Sequence, residues 1–144
     1  MHINRRTFGS AIACASAAGL LAPNAWAQKP LVLGFSQVGA ESEWRTANTE
    51  SIKSAAKEAG IELKFSDAQQ KQENQIKAIR AFIAQKVDVI AFSPVVESGW
   101  EPVLREAKAA KIPVVLTDRA VNTKDTSLYV TFMGSDFVEE GRKA

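Results

Sequence analysis

One cysteine, one histidine and one tyrosine are all that 144 residues contain of three side chains on which much protein chemistry depends. Cys14 and His2 both stand near the start. Beyond residue 27 the chain therefore has no disulfide, no thiol nucleophile and no cysteine to ligate a metal. The commonest general base is missing there too. Glycine patterns that cradle phosphates are absent: neither G-x-G-x-x-G nor a P-loop occurs, and Gly34 lies inside an apolar run. No G-x-S-x-G elbow is present. A charge excess is also lacking. The 18 Lys and Arg face 16 Asp and Glu, and Arg5 and Arg6 account for the surplus, so residues 28–144 balance at 16 against 16. No basic patch offers itself to nucleic acid, and no polybasic stretch to a membrane surface.

What is present begins with an export signal. Arg5 and Arg6 precede an Ala-rich apolar stretch from Phe8 to Leu21, followed by Pro23 and Ala25-Trp26-Ala27. This order predicts a signal peptide over residues 1–27, cut between Ala27 and Gln28. The stretch is too short and Ala-rich for a stable membrane anchor. Asn4-Arg5-Arg6-Thr7-Phe8-Gly9 resembles a twin-arginine signal, with Asn4 where Ser and Gly9 where Leu are usual. A Sec signal is the alternative. A lipoprotein reading of Cys14 lacks the Leu expected three residues earlier. The expected location is the periplasm, with membrane contact only during export.

From Lys29 onward, short β-rich runs alternate with helical ones. "LVLGFS" (31–36) has no polar face and predicts a strand covered on both sides. Residues 42–59 carry Trp44, Ala47, Ile52, Ala55 and Ala56 at helical spacing, stopped by Gly60. "IELKFS" (61–66) alternates like a strand near an edge. Residues 67–86 read as a helix with Asp67 and Gln70 as a capping box and Ile76, Ile79, Phe82 and Ile83 as the buried stripe. Further strands are expected at 87–94, 112–118 and 128–134, with a helix at 99–111 and the start of another at Ser135 or Asp136. Alternation of this kind predicts an α/β fold: a doubly wound parallel sheet with helices on both faces. The last helix stops after two or three turns, which predicts an incomplete reading frame. Residues 28–144 are thus expected to form a partial amino-terminal lobe.

Ligands of open parallel sheets bind outside the carboxyl ends of the strands. Those ends here are polar: "SQVGAESEWR", "SDAQQ", "SPVVESGW" and "TDRAV". In the last, an apolar strand runs directly into adjacent Asp118 and Arg119. A neutral polyol suits such groups. Its hydroxyls both donate and accept, and its C–H faces are apolar, so recognition calls for carboxylates, guanidinium forks and an aromatic ring. Asp118 accepts, Arg119 and Arg45 donate, Trp44 stacks, and Glu41 and Ser42 complete the set. Each has a plainer reading. Trp44 fits equally well as a core residue, Trp100 better as core than as site, and Glu41 and Glu43 as complements to a helix dipole. Asp88 and Asp125 look structural.

"LGFSQVGAESEWRTA", "DAQQKQENQIKAIRAFIAQKVDVIAFSPVVESGWEPVLREAK" and "IPVVLTDRAV" together resemble the amino-terminal lobe of periplasmic sugar-binding proteins of ABC transporters, of the ribose/galactose-binding type. The resemblance covers nearly all of 31–144. It implies a periplasmic-binding-protein type I lobe, with a second lobe missing, that takes galactofuranose or a related aldose. It further implies that Glu41, Ser42, Glu43, Trp44, Arg45, Asp118 and Arg119 line the sugar site. The implied partners are a monosaccharide and a membrane permease, with no enzyme activity, no cofactor, no metal and a monomeric state. Glu43 stands where the nearest subfamily has a Gly, and a twin-arginine signal is unusual for the family. Three other functions compete. A sensor feeding a chemoreceptor or kinase shares every feature. A transcription regulator needs an amino-terminal helix-turn-helix, and an export signal stands there instead. A secreted sugar-active enzyme has only Asp and Arg to work with.

Overall fold

The computed structural model describes residues 29–144; the expected export signal at 1–27, with Cys14 and His2, lies outside the described residues. In chain order the elements are β1 (Val32–Gln37), α1 (Glu43–Glu58), β2 (Glu62–Asp67), α2 (Gln72–Ala84), β3 (Val89–Phe92), α3 (Glu101–Ala109), β4 (Val114–Asp118), β5 (Thr131–Gly134) and α4 (Phe137–Lys143). A 3-10 turn, Thr126–Leu128, precedes β5. Every strand pair is parallel, in the order β2-β1-β3-β4-β5. The chain first winds outward from β1 to β2, then returns past β1 to β3 and beyond. Because crossovers are right-handed, that reversal sends the helices to opposite faces. It also creates a topological switch point between β1 and β3, where the loops after the two strands diverge.

Strand alternation shows the two faces directly. A Cβ on Gly34 would lie 2.6 Å from Cγ of Phe82 on α2, so that position faces α2. Gln37, three residues on, faces the other way and donates from its amide to Asn48 Oδ1 of α1 at 2.8 Å. The apolar core fills the α2 and α3 side: Ile79, Phe82, Ile90, Phe92, Trp100, Leu104, Val114 and Leu116 are all buried there. Trp100 is core, as its helical spacing suggested. The α1 side is more polar, with Gln37 buried beneath the helix.

The close seat of Phe82 over Gly34 makes a sharp test of this packing. Gly34→Ala has no free volume to enter, and overpacking of this kind costs about 1–3 kcal/mol. Urea melts of the variant are expected to show a lowered midpoint with an unchanged slope.

Two expectations need correction. The second helix starts at Gln72 and not at Asp67, with Lys71 as N-cap and no side-chain cap bond. Asp67 instead accepts from the backbone of Gln69 at 2.7 Å, and Gln69 and Gln70 both take left-handed φ angles of 52° and 59°. The residues read as a capping box form a tight turn, because the Asp side chain competes for the backbone. The final strand is also shorter than 128–134, since the 3-10 turn takes up Leu128. On the outer surface Arg80 of α2 forks onto Glu106 of α3 with an Nη2–Oε1 contact of 2.7 Å. Hydrogen bonding to Arg80 holds the Glu106 carboxyl below its ordinary range.

Candidate functional site

Ser42 shapes the first arm of the site. In extended conformation (φ −145°, ψ 157°) it N-caps α1, its Oγ accepting from the backbone N–H of Arg45 at 3.2 Å. That bond satisfies one free donor of the first turn. Glu43 follows at the first helical position, exposed, where an acid complements the helix dipole. The helix then turns Trp44 outward, 54% exposed, and Arg45 inward, 5% exposed. Trp44 is therefore no core residue. An amphipathic reading places them the other way round. The reason for the inversion is electrostatic: Arg45 points at the end of β4, where Asp118 waits.

Arg45 Nη1 lies 2.7 Å from Asp118 Oδ2, and Arg45 Nε donates to Glu41 Oε1 at 3.3 Å. Gly39 leaves room for this arrangement, since a Cβ there would come within 2.6 Å of Glu41 Oε2. The guanidinium carbon of Arg45 also lies 4.8 Å from the Trp44 ring centroid, within cation–π range. Although close, the Arg45–Asp118 contact lacks an aligned N–H, so it is charge against charge. Nη1 and Oδ2 are both buried without a hydrogen bond. Buried polar atoms in that condition are uncommon and call for a reason.

Asp118 closes β4 with φ +64°, a left-handed angle uncommon outside glycine though more often taken by Asp. The reversal starts a tight turn in which Arg119 N donates to Thr117 O at 2.7 Å. Arg119 Nε lies 3.7 Å from Asp118 Oδ2, and its Nη1 donates to Val95 O, in the loop after β3, at 3.4 Å. The adjacent acid and base are thus not a solvated pair. The acid reaches α1, and the base reaches the loop after β3.

Glu41, Trp44, Arg45, Asp118 and Arg119 accordingly form one connected set across the carboxyl edge. Ser42 and Glu43 do not join Asp118; with Glu41 and Thr46 they line a separate shallow depression. Two clefts border the set. One, of about 390 Å³, lies between Trp44, Asn48, Thr117, Asp118 and Met133. The other, of about 810 Å³, is flanked by Val95, Glu97, Arg119, Phe132 and Phe137. Residues 95–97 lie in the strand end "SPVVESGW" but were not singled out, because loop residues carry no periodic signal, and Phe132, inside β5, was not singled out either. Gln75 was missed as well, yet it stands on the stripe of Ile79 and Phe82, where a polar residue is out of place. Among the described residues no three His, Cys, Asp or Glu side chains gather to hold a metal.

An open parallel sheet with a switch point, and a charged and aromatic rim at its carboxyl edge, defines a lobe of the periplasmic-binding-protein type I class. The chain belongs to the periplasmic binding protein domain family, which matches residues 33–144. It is 59% identical over 113 residues to the galactofuranose-binding protein YtfQ of Escherichia coli K12, covering 78% of this chain and 36% of that one. A solved structure from Mycobacterium smegmatis in complex with β-D-fucofuranose is 71% identical, with a TM-score of 0.76 over 78% of this chain and 37% of the other. The periplasmic component of the arabinose ABC transporter of Shewanella sp. ANA-3, bound to α- and β-L-arabinofuranose, is 64% identical with a TM-score of 0.76, covering 78% and 37%. The chain spans little more than a third of the length of these relatives.

Proposed function

We propose that the protein is an exported, monomeric solute-binding protein that captures a monosaccharide, galactofuranose or a related aldose, and delivers it to the permease of an ABC transporter in the periplasm. Residues 1–27 are the signal peptide, of twin-arginine type, and 28–144 are part of the amino-terminal sugar-binding lobe. Binding is the whole of its chemistry, and no catalysis is assigned.

The observation that carries this reading is Arg45, buried and paired with Asp118 at 2.7 Å and Glu41 at 3.3 Å, in one set with the exposed Trp44 ring and Arg119 beside two clefts. A sugar hydroxyl, donor and acceptor at once, complements such a couple without bringing net charge. Trp44 covers a C–H face, Arg119 donates from the far side, and Glu41 holds the Arg45 fork. Ser42 and Glu43 act on the rim, Ser42 by capping α1. The furanose ligands named for two similar structures support a five-membered ring as the ligand form. Hinge closure between two lobes is a known device of periplasmic binding proteins. A sugar seated on one lobe leaves its other face in water.

Calorimetric titration with L-arabinose and D-galactose tests the reading. A two-lobed protein carrying this lobe is expected to bind at least one of them. Residues 28–144 alone are expected to bind it more weakly by about a hundredfold or more, since half the polar contacts are missing. Equal affinities for lobe and two-lobed protein, or no binding of any aldose, would overturn it.

A further inference from the structure

We propose that Gln75 is a positioning residue for the sugar site: it fixes the loop after β3 so that Arg119 presents its guanidinium to the cleft. The proposal rests on the sugar-binding reading above. Gln75 lies on the core-facing side of α2 and is wholly buried. A buried primary amide carries two donors and an acceptor that need partners. Gln75 Nε2 donates to Ser36 O at 3.2 Å and to Ser93 O at 2.8 Å. Those two carbonyls belong to the ends of the strands flanking the switch point. Its Oε1 accepts from the backbone N–H of Val95 at 3.0 Å. The carbonyl of the same Val95 accepts from Arg119 Nη1 at 3.4 Å.

One side chain thus ties β1, β3 and the following loop together, and the last link reaches the candidate ligand-binding arginine. The loop is pinned elsewhere as well. Gln72 donates to Ser98 O at 2.6 Å, and the Trp100 indole donates to Val96 O at 2.6 Å. At its base Ser93 is also held, by its N–H to Ser36 O at 3.3 Å and its hydroxyl to Thr117 Oγ1 at 2.9 Å, but it is Gln75 that holds the Val95 N–H itself. Without that bond the Val95 carbonyl loses its fixed direction, and Arg119 keeps only Asp118, at 3.7 Å, as a partner. Gln75 lines neither of the two clefts described above; it acts through Val95.

The test uses the full-length protein, with L-arabinose and D-galactose as probes and calorimetry as the readout, under conditions where circular dichroism shows each variant folded. Gln75→Met keeps the shape and removes every bond. It is expected to weaken sugar binding about tenfold, the scale of one or two hydrogen bonds. Arg119→Ala is expected to weaken it similarly, and Gln75→Met combined with Arg119→Ala is expected to be no worse than Arg119→Ala alone. Non-additivity of that kind separates positioning through Arg119 from general softening of the fold. Gln75→Glu supplies a conservative rescue. Protonated, its carboxyl donates one bond and accepts another; ionised, it faces two carbonyls with no donor. Its affinity is expected to approach that of the native protein at acid pH and to fall as pH rises, while the native protein stays level.

Independent, additive losses would overturn the proposal, as would a folded Gln75→Met protein with native affinity beside a weakened Arg119→Ala. Those results leave the sugar-binding reading standing. If Gln75→Met fails to fold, the pH profile of Gln75→Glu, with and without Arg119→Ala, decides in its place: a profile that Arg119→Ala leaves unchanged counts against the role. A native protein that binds neither sugar removes the underlying reading, and the proposal with it.

Discussion

Arg45→Met is expected to produce the largest single effect at the site, on stability and binding together. Asp118 is 18% exposed and Glu41 30% exposed as side chains, and Arg45 is the cation between them. Removing it leaves an acid with one remaining cation, Arg119, at 3.7 Å. Breaking a buried pair from one side costs about 3–5 kcal/mol, and the partial exposure of Asp118 puts the expected loss near the lower figure. Arg45→Met with Asp118→Asn removes both charges. The double variant is expected to regain much of that stability in urea melts without regaining ligand affinity. Arg45→Lys keeps the charge but not the fork, and should bind weakly while folding well. A simple sum of the two single losses in the double variant would show that the pair is not a unit.

Trp100→Ala is expected to be the most damaging change away from the site. The indole is 1% exposed, packs against Phe92 at 4.9 Å between centroids, and donates from Nε1 to Val96 O at 2.6 Å. Aromatic-to-alanine changes in cores cost about 3–5 kcal/mol. Trp100→Phe keeps most of the ring and loses the one bond, at about 1 kcal/mol net. The ordering Ala far below Phe in chemical denaturation checks the assignment, and near-equal variants would refute it. The emission of Trp100 is also expected to be blue-shifted relative to that of exposed Trp44.

Much of the fold could be read without coordinates because its signals are local. Apolar runs such as 87–94 and the stripe of Ile79 and Phe82 name their own element and their own buried face. The place of Asp118 and Arg119 followed from where a buried strand stops. The orientation of Trp44 and Arg45 could not be read in this way. Which of two neighbours turns inward depends on Asp118, remote in sequence, and helical spacing alone favoured the indole. The start of α2 was hidden for a related reason. Asp67, Gln69 and Gln70 fit a capped helix as well as a left-handed turn, and only the position of β2 relative to Val38 chooses between them, through Gln70 N donating to Val38 O at 2.8 Å. Gln75 shows the opposite case, a polar residue on an apolar stripe whose anomaly was visible but whose partners were not.

The unusual backbone of Asp118 bears on which positions of the proposed site can change. A left-handed residue at a strand end strongly disfavours β-branched replacements, and its carboxylate is already committed to Arg45. That couple is a rigid frame, costly to redesign. Trp44 and Arg119, each about half open to water, carry little of the fold. Within the proposed sugar site, substitution by natural drift or by library selection is therefore cheapest at those two positions.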